Sequence, residues 1–359
     1  MLYNFSIKNE IMFFKQFGGK ATKELTQRYT QSDNWKNGQF QNLEAVDMSM
    51  GLSKLPGMIY KQLSGSGERM PKKPLPIQEF DKDRFLSPTD KAKFIWYGHA
   101  VVMMRISGKT LLIDPMLGDD TTPIAPAKNK RFSENTLDLI DDFPTIDLVL
   151  FTHDHYDHLD FASVQKLKGK VKHFFVALGV KRHLTSWGIA ADKITEFDWW
   201  QTRSFENIEI TFTPTRHFSG RGLTDRFKSL WGGWAFKTPT ENIWFSGDGG
   251  YGQHFKEVRK KIGGFDFAFM ECGQYNDDWS EIHLFPHESV QAAIDANVQK
   301  IMPFHWAGFN LSYQHTWTEP VEEFIKSAQE KQINYATPIL GKIFNIASVE
   351  QEKWWLNYQ

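Results

Sequence analysis

A short segment of this chain concentrates side chains that bind metal ions. Residues 153–158 read His-Asp-His-Tyr-Asp-His, which places three imidazoles and two carboxylates just after the apolar run at residues 148–151. Histidine and aspartate together suit Zn²⁺ and also accept Mn²⁺ or Fe²⁺. The alternative is a histidine-rich surface loop that binds nothing. We disfavour it because unpaired polar groups at the mouth of a buried strand are costly.

The direction of the side chains along this segment indicates more than one ion. On an extended chain successive side chains point to opposite sides, so His153 and His155 can share one ion. Asp157 and His158 follow a turn and can face another ion. The segment therefore predicts a site for two ions.

Three later apolar runs are each followed by a further candidate ligand, and these candidates are His217, Asp248 and His305. Taken singly, His217 or His305 would more often be a core or surface histidine. In α/β proteins, however, ligand sites lie where loops converge at the carboxyl ends of strands. Together with residues 153–158, the three candidates predict one joint site.

Short apolar runs separated by turns begin at Lys93 and predict an α/β protein. The predicted strands are residues 94–97, 101–106, 110–113, 148–151, 174–178, 208–213, 234–237, 243–245, 267–270 and 301–304. Helical spacing predicts helices at residues 288–296 and 321–328. The first of these has Pro286 in its opening turn, with Val290 and Ile294 as a buried pair.

Residues 1–90 are predicted to form an N-terminal extension, and residues 91–359 the main domain. The extension contains a Ser-Gly repeat at residues 64–67 and a proline-rich stretch after it, which is typical of an irregular arm with a connector. Its aromatic patch at residues 11–17 can cover the domain or touch a membrane surface. Covering the domain is the favoured interpretation.

Composition and charge narrow the classes of function. The formal net charge of -1 creates no global field for nucleic acid, so nucleic acid is not an expected partner. The one cysteine, Cys272, follows an apolar run and is expected to be a small buried residue. The sequence has no apolar run of about 18 residues. We expect a cytoplasmic protein and leave contact with a membrane surface open.

The candidate ligands occur in an ordered pattern: His-x-His-x-Asp-His, a later His, Gly-Asp-x-Gly and a final His. This pattern resembles the signature of the metallo-β-lactamase superfamily. From about Lys93 to about Gly341, the chain is similar to the branch containing N-acyl-phosphatidylethanolamine-hydrolysing phospholipase D and its bacterial relatives. The segments that carry this likeness are Tyr97-Gly98-His99-Ala100, Leu112-Ile113-Asp114-Pro115, Asp198-Trp199-Trp200, Leu230-Trp231-Gly232-Gly233-Trp234, Gly247-Asp248-Gly249-Gly250-Tyr251, His283-x-x-Pro286-x-Glu288 and His305-Trp306. One departure is Gly249, where the family usually has threonine.

The resemblance implies an αββα sandwich, in which two facing mixed β-sheets have helices outside and hold two Zn²⁺ ions at one edge. The implied ligands are His153, His155 and His217 for the first ion, Asp157, His158 and His305 for the second, and Asp248 as a bridge between both. A hydroxide bridging the ions would attack the substrate, because water shared by two cations ionises near neutral pH. No serine or cysteine nucleophile is then required.

Three further polar residues belong to the implied site. Asp114 and His99 are expected to orient ligand imidazoles, the alternative being polar groups that merely end a strand. His283 is expected to bind a substrate phosphate or assist proton transfer, the alternative being a helix cap or a surface residue. Asp248 and His283 are thus the residues expected to take part directly in catalysis.

The implied activity is that of a phospholipase D-like phosphodiesterase acting on a lipid phosphodiester such as N-acyl-phosphatidylethanolamine. The closest alternative is a lactonase or sugar-phosphate hydrolase of the ascorbate-6-phosphate lactonase type, whose branch shares the Gly-His-Ala and His-Trp surroundings. A nuclease is disfavoured because no basic run with interleaved aromatic residues occurs. A catalytically silent binding protein with the same fold is disfavoured by the complete ligand set. A homodimer is left open.

Overall fold

Two mixed β-sheets form the centre of the structure. The computed structural model describes residues 15–46, 68–122, 128–222, 224–347 and 351–359. The strands are β1 (Trp35–Lys36), β2 (Gln39–Phe40), β3 (Lys93–Trp96), β4 (Val102–Ile106), β5 (Lys109–Ile113), β6 (Ile146–Phe151), β7 (Val171–Ala177), β8 (Ile194–Phe197), β9 (Thr202–Phe205), β10 (Ile208–Thr213), β11 (Gly233–Lys237), β12 (Asn242–Phe245), β13 (Phe267–Glu271), β14 (Lys300–Phe304) and β15 (Asn334–Tyr335). The α-helices are α1 (Lys23–Tyr29), α2 (Lys82–Leu86), α3 (Leu139–Asp142), α4 (Phe161–Leu167), α5 (Lys181–Ser186), α6 (His254–Ile262), α7 (Pro286–Asp295) and α8 (Glu319–Glu330). Short 3₁₀ helices cover Thr136–Asp138, Ala191–Lys193, Asp277–Trp279 and Trp354–Tyr358.

Each large sheet combines parallel and antiparallel strands. The first sheet has the order β3-β4-β5-β6-β7-β8, antiparallel as far as β5 and parallel from there to β8. The second has the order β15-β14-β13-β12-β11-β10-β9, parallel as far as β12 and antiparallel from there to β9. Helices α7 and α8 pack on each other and against β13 and β15. The α/β class and the αββα sandwich predicted from the sequence are confirmed.

The central strands are continuous apolar runs because both of their faces are covered. All six residues of β6 are buried, which explains why its sequence does not alternate between polar and apolar residues. Every predicted strand is present, with ends that differ by up to three residues. Strands β8 and β9 were not predicted, because several of their residues are polar and partly or fully exposed.

Helix α7 begins where its sequence predicts. Pro286 occupies the first turn, and the Glu288 carboxylate accepts a hydrogen bond from the backbone N–H of Phe285 (3.1 Å). The predicted buried pair is wrong in its second member, because Ile294 is 38% exposed whereas Val290 is fully buried. Ala293, three residues after Val290, takes the buried position instead.

Aromatic side chains fill the space between the sheets. Phe94 of β3 stacks on Phe267 of β13 with ring centroids 5.5 Å apart, and Phe197 of β8 meets Trp234 of β11 edge to face at 5.1 Å. Such contacts stabilise a core beyond the area they bury. Cys272, fully buried at the end of β13, is the small core residue that the sequence predicts.

The described parts of the extension lie against the sandwich. The backbone N–H of Leu75 donates to Phe132 (2.9 Å), and that of Phe40 donates to Phe227 (2.9 Å). Phe17 packs edge-on against Tyr156, so this end of the predicted aromatic patch covers the domain. Residues 11–14 of the patch and the Ser-Gly repeat at 64–67 lie outside the described residues. Among the helices of the described residues, none is long and apolar enough to cross a membrane.

Phe94→Ala is expected to lower the free energy of unfolding by about 3–5 kcal/mol, because it removes a fully buried ring that joins the two sheets. Leu356→Ala is the control, since Leu356 is 50% exposed. Its effect should stay within about 0.5 kcal/mol. Urea unfolding followed by tryptophan fluorescence measures both. Equal effects of the two substitutions would contradict this account of the core.

Candidate metal centre

The predicted ligands lie at one edge of the sandwich, where strands of both sheets end. Residues 153–158 follow β6, His217 follows β10, Asp248 follows β12 and His305 follows β14. Their ligand atoms fall into overlapping groups, and within each group the atoms lie within 4.8 Å of one another. The structure thus brings together all seven side chains proposed as ligands from the sequence.

One group has the spacing of a tetrahedral metal site. His158 Nε2 lies 3.0 Å from Asp248 Oδ2 and 3.2 Å from His305 Nε2. His305 Nε2 lies 3.2 Å from Asp157 Oδ2 and 3.0 Å from Asp248 Oδ2. Two nitrogen ligands of a tetrahedral zinc ion, each at about 2.05 Å, are about 3.3 Å apart. The spacing of His158, Asp248 and His305 therefore fits one ion, and Asp157 lies beside His158 and His305.

The second group consists of imidazoles. His217 Nε2 lies 3.2 Å from His155 Nδ1, and both belong with His153 to one set of neighbouring ligand atoms. Asp248 also lies in a set with His153 and in another with His217. Its carboxylate is therefore close to both groups, as a bridging ligand must be.

Unpartnered atoms at the site fit bound cations. Among the described residues, His153 Nε2 and Asp248 Oδ1 are buried and have no hydrogen-bonding partner. A buried polar atom without a partner is costly. A divalent cation between the two groups would give a partner to both atoms, and nitrogen and carboxylate donors are the ligands that zinc accepts.

Four imidazoles have Nδ1 held from outside the ligand groups. Because carbonyl and carboxylate oxygens only accept, Nδ1 of the histidine must donate to them, and Nε2 is left to bind a cation. These pairs are His158 with Asp114 (2.8 Å), His217 with the carbonyl of Ile282 (2.9 Å), His305 with Glu271 (3.2 Å) and His153 with the hydroxyl of Thr152 (2.9 Å).

Asp114 supports two of these imidazoles. Its Oδ2 accepts from His158 Nδ1 and from the Thr152 hydroxyl (2.6 Å), and the Thr152 hydroxyl in turn accepts from His153. Its Oδ1 accepts from the backbone N–H of Thr152 (2.8 Å). The expectation that Asp114 orients ligand imidazoles agrees with these contacts.

The contact that His99 makes differs from the one expected from the sequence. Its Nε2 donates to Asp157 Oδ2 (2.9 Å), so it contacts a carboxylate instead of orienting an imidazole. The His99 and His305 rings lie 4.2 Å apart. Both residues, like Asp114, have positive φ (52°, 74° and 40°), a conformation that costs energy and persists only where surrounding contacts enforce it.

Glu271 was not singled out from the sequence. It ends β13, is fully buried and accepts hydrogen bonds from both His305 Nδ1 and His283 Nδ1 (3.2 Å each). Burial alone would raise the pKa of Glu271, but the hydrogen bonds from His283 and His305 outweigh it and hold the pKa below its usual range. Its place at the end of a strand, like the ligands, was the available signal.

Electrostatics differ between the two groups. Burial, and then the neighbouring His158, hold the pKa of His153 well below its usual range, and burial lowers the pKa of His155 to about 4. Burial also acts to lower the pKa of His305, but Asp248 and Asp157 outweigh it and raise that pKa to about 9. Neutral imidazole is the metal-binding form, so in the group that contains His305 a cation would replace a proton.

His283 lies beside the ligands and lines a cavity of about 200 Å³. Its ring is nearly parallel to that of His305 at 5.4 Å, and its Nδ1 donates to Glu271. Helix α7 is capped by Glu288, which removes the alternative of His283 as its cap. The cavity lining consists of His155, Asp157, Phe218, Asp248, Trp279, Ile282, His283 and Leu311.

The glycine after Asp248 follows from close packing. A Cβ on Gly249 would lie 2.9 Å from the Thr215 Cβ and 3.0 Å from the backbone nitrogen of Arg216. A threonine would not fit without a shift of this loop.

A family model described as the beta-lactamase superfamily domain matches residues 109–306. The chain belongs to the metallo-β-lactamase superfamily, and it is a metal-dependent hydrolase. It is 32% identical over 331 residues to an uncharacterized protein of Mycobacterium tuberculosis, covering 90% of this chain and 88% of that protein. It is 30% identical over 287 residues to N-acyl-phosphatidylethanolamine-hydrolyzing phospholipase D 1 of Caenorhabditis elegans, covering 75% and 80% of the two chains. A metallo hydrolase from Ignicoccus hospitalis shares the fold, with a TM-score of 0.56 and 17% identity over 71% of this chain and 97% of that one.

Asp114→Asn is expected to weaken metal binding by about 10–100-fold, because an amide that accepts from Thr152 cannot also accept from His158 Nδ1. Competition with a chelator measures the affinity, and elemental analysis of the natural protein should give close to two ions per chain. The control is Asp147→Asn, a buried carboxylate at the other end of the β5–β6 pair that accepts from the Thr110 N–H. Equal losses in the two variants would contradict a role for Asp114 behind the ligands.

Proposed function

We propose that this protein is a phospholipase D-like phosphodiesterase that holds two Zn²⁺ ions and hydrolyses a lipid phosphodiester such as N-acyl-phosphatidylethanolamine. The observation that carries this proposal is a complete pair of ligand groups beside a cavity that has one apolar wall. Similarity to the nematode phospholipase D over 287 residues supports it. Mn²⁺ or Fe²⁺ remains an alternative to zinc, since both accept the same donors.

Two cations bound at this edge would supply a hydroxide at neutral pH and offset charge on the phosphoryl oxygens. The protein itself must orient the phosphodiester and move a proton. In the hydrolysis, an oxygen from water forms a bond to phosphorus, and the bond from phosphorus to the ethanolamine oxygen breaks. That leaving oxygen needs a proton. His283 Nε2 can hold it, because Nδ1 of the same ring donates to Glu271.

The cavity wall favours a lipid over a sugar phosphate. Phe218, Trp279, Ile282 and Leu311 supply the apolar part of its lining, beside the ligand carboxylates and imidazoles. None of the residues lining this cavity in the described structure is a lysine or arginine. A sugar phosphate carries many hydroxyls, which would find few hydrogen-bonding partners among such side chains. An amphiphilic phosphodiester has a charged part that matches the ligand groups and an apolar part that matches the apolar lining.

The proposed reaction predicts where oxygen from water enters the product. The protein with its metals is incubated with N-acyl-phosphatidylethanolamine vesicles in ¹⁸O-labelled water. We expect one ¹⁸O in the phosphate of the released phosphatidic acid and none in the N-acylethanolamine, since attack occurs at phosphorus. A sugar-phosphate lactone is assayed in parallel. Faster hydrolysis of the lactone than of the lipid would favour the lactonase alternative. No turnover of any substrate by the metal-loaded protein would favour the binding-protein alternative.

His283→Ala is expected to lower the turnover of a phosphodiester by about 100-fold while both ions stay bound, because the imidazole lies in the cavity but outside the ligand groups. His287→Ala is the control, since His287 lies four residues later and is exposed. Rate and metal content are measured on the same preparations. A parallel fall in both for His283→Ala would make this residue a support of the metal site, and an unchanged rate would remove it from the mechanism.

Contact with a membrane surface and assembly into a homodimer also remain proposals. The cavity holds only part of a lipid, so the acyl chains of a bound substrate would extend beyond it. At a vesicle surface, the acyl chains could stay outside the cavity while the rest of the lipid enters the cavity mouth. This would be consistent with the apolar side chains on the wall.

A further inference from the structure

Residues 38–45 of the N-terminal extension run beside the loop that carries His217. The N–H of Phe40 donates to the carbonyl of Phe227 (2.9 Å), and the Arg216 guanidinium donates to the carbonyl of Ala45 (2.7 Å). The arm is thus attached to this loop on both sides of His217. Between these two attachments lies Asn42.

Asn42 pairs its side-chain amide with both backbone groups of His217. Its Oδ1 accepts from the His217 N–H (3.0 Å), and its Nδ2 donates to the His217 carbonyl (2.8 Å). The same Oδ1 accepts from Trp231 Nε1 (3.1 Å), an indole that is fully buried. Asn42 therefore takes the place that a neighbouring strand would take.

His217 needs such a partner because no strand supplies one. It lies between β10, which ends at Thr213, and β11, which begins at Gly233. Its ring is fixed separately, since Nδ1 donates to the carbonyl of Ile282 (2.9 Å). With both backbone and ring held, Nε2 is left facing His155 Nδ1 at 3.2 Å.

The arm also touches the other ligand loop through a buried arginine. Arg221 donates to the carbonyl of Gln16 through Nη2 (2.6 Å) and to the carbonyls of Asp154 and Leu159 through Nη1 (2.7 Å each). Asp154 and Leu159 flank the ligands at residues 155–158. One guanidinium therefore links the arm to the loop after β6.

We propose that the N-terminal arm is part of the metal centre, with Asn42 as a positioning residue for the ligand His217. The proposal rests on the proposed function in so far as it takes His217 to bind a metal ion. It goes beyond it by assigning to the extension a role in metal affinity. The alternative is that Asn42 only anchors the arm. Removal of its side chain would then lower the stability of the protein without a selective effect on metal binding.

Two substitutions separate these roles. Asn42→Ala removes the donor and the acceptor, whereas Asn42→Asp keeps the acceptor for the His217 N–H and replaces the donor with a carboxylate oxygen that faces the His217 carbonyl. The matched control is Asn34→Ala, because the Asn34 side chain joins the same arm to the main domain by a hydrogen bond to Asp198 (2.9 Å).

Stepwise Zn²⁺ affinities are measured by chelator competition on the full-length chain, together with the absorption spectrum of the Co²⁺-substituted protein and the unfolding of the metal-free protein. For Asn42→Ala we expect about tenfold or greater weakening for one of the two ions and an altered Co²⁺ spectrum. Asn42→Asp should also weaken the same ion, because a carboxylate oxygen would repel the His217 carbonyl. Asn34→Ala should match the natural protein in metal affinity and in the Co²⁺ spectrum, even if it is destabilised as much as Asn42→Ala.

Equal metal affinities in Asn42→Ala and the natural protein would overturn the inference, as would equal losses in Asn42→Ala and Asn34→Ala. If Asn42→Ala fails to fold, the metal affinity of Asn42→Asp is compared with those of the natural protein and Asn34→Ala. An affinity equal to either one would overturn the inference. A natural protein that binds no Zn²⁺ would instead overturn the proposed function itself, so the two failures are distinguishable.

Discussion

The metal centre of this protein depends on the outward hydrogen bonds of four ligand imidazoles, those of His153, His158, His217 and His305. An imidazole that donates through Nδ1 to a fixed oxygen has its ring orientation and tautomer set, and its Nε2 lone pair then points inward. Here the fixed oxygens are of three kinds: carboxylates of Asp114 and Glu271, the carbonyl of Ile282 and the hydroxyl of Thr152. Without them, the inward nitrogens would have no common direction.

These oxygens come from widely separated segments, so the geometry of the site depends on the whole sandwich. Asp114 follows β5 in the first sheet, whereas Glu271 ends β13 in the second. The aromatic contacts between the sheets, such as Phe94 on Phe267, set the distance between these two segments. A loss of packing far from the metals would therefore shift ligands relative to each other. In this sense the core stabilises the site as well as the fold.

The ligand groups, the cavity lining and the N-terminal arm are three distinct parts of the site. The ligand groups belong to the superfamily fold, and similar groups can serve several hydrolytic reactions. The cavity beside them is lined by apolar side chains as well as ligands, and no lysine or arginine is among its described lining residues. The arm adds a third part, which contacts ligand loops through Asn42 and Arg221.

The amino-acid sequence by itself determined the α/β class, nearly all central strands and the seven clustered side chains. Those features are local, since a ligand such as His305 directly follows an apolar run that must form a strand. Only the tertiary structure decided which oxygens hold the imidazoles. Glu271, Thr152 and Asn42 carry no pattern in the sequence, and Asn42 lies 175 positions from His217. It also decided that His99 serves Asp157 and that Ile294 faces solvent, because both depend on which neighbour reaches the residue in space.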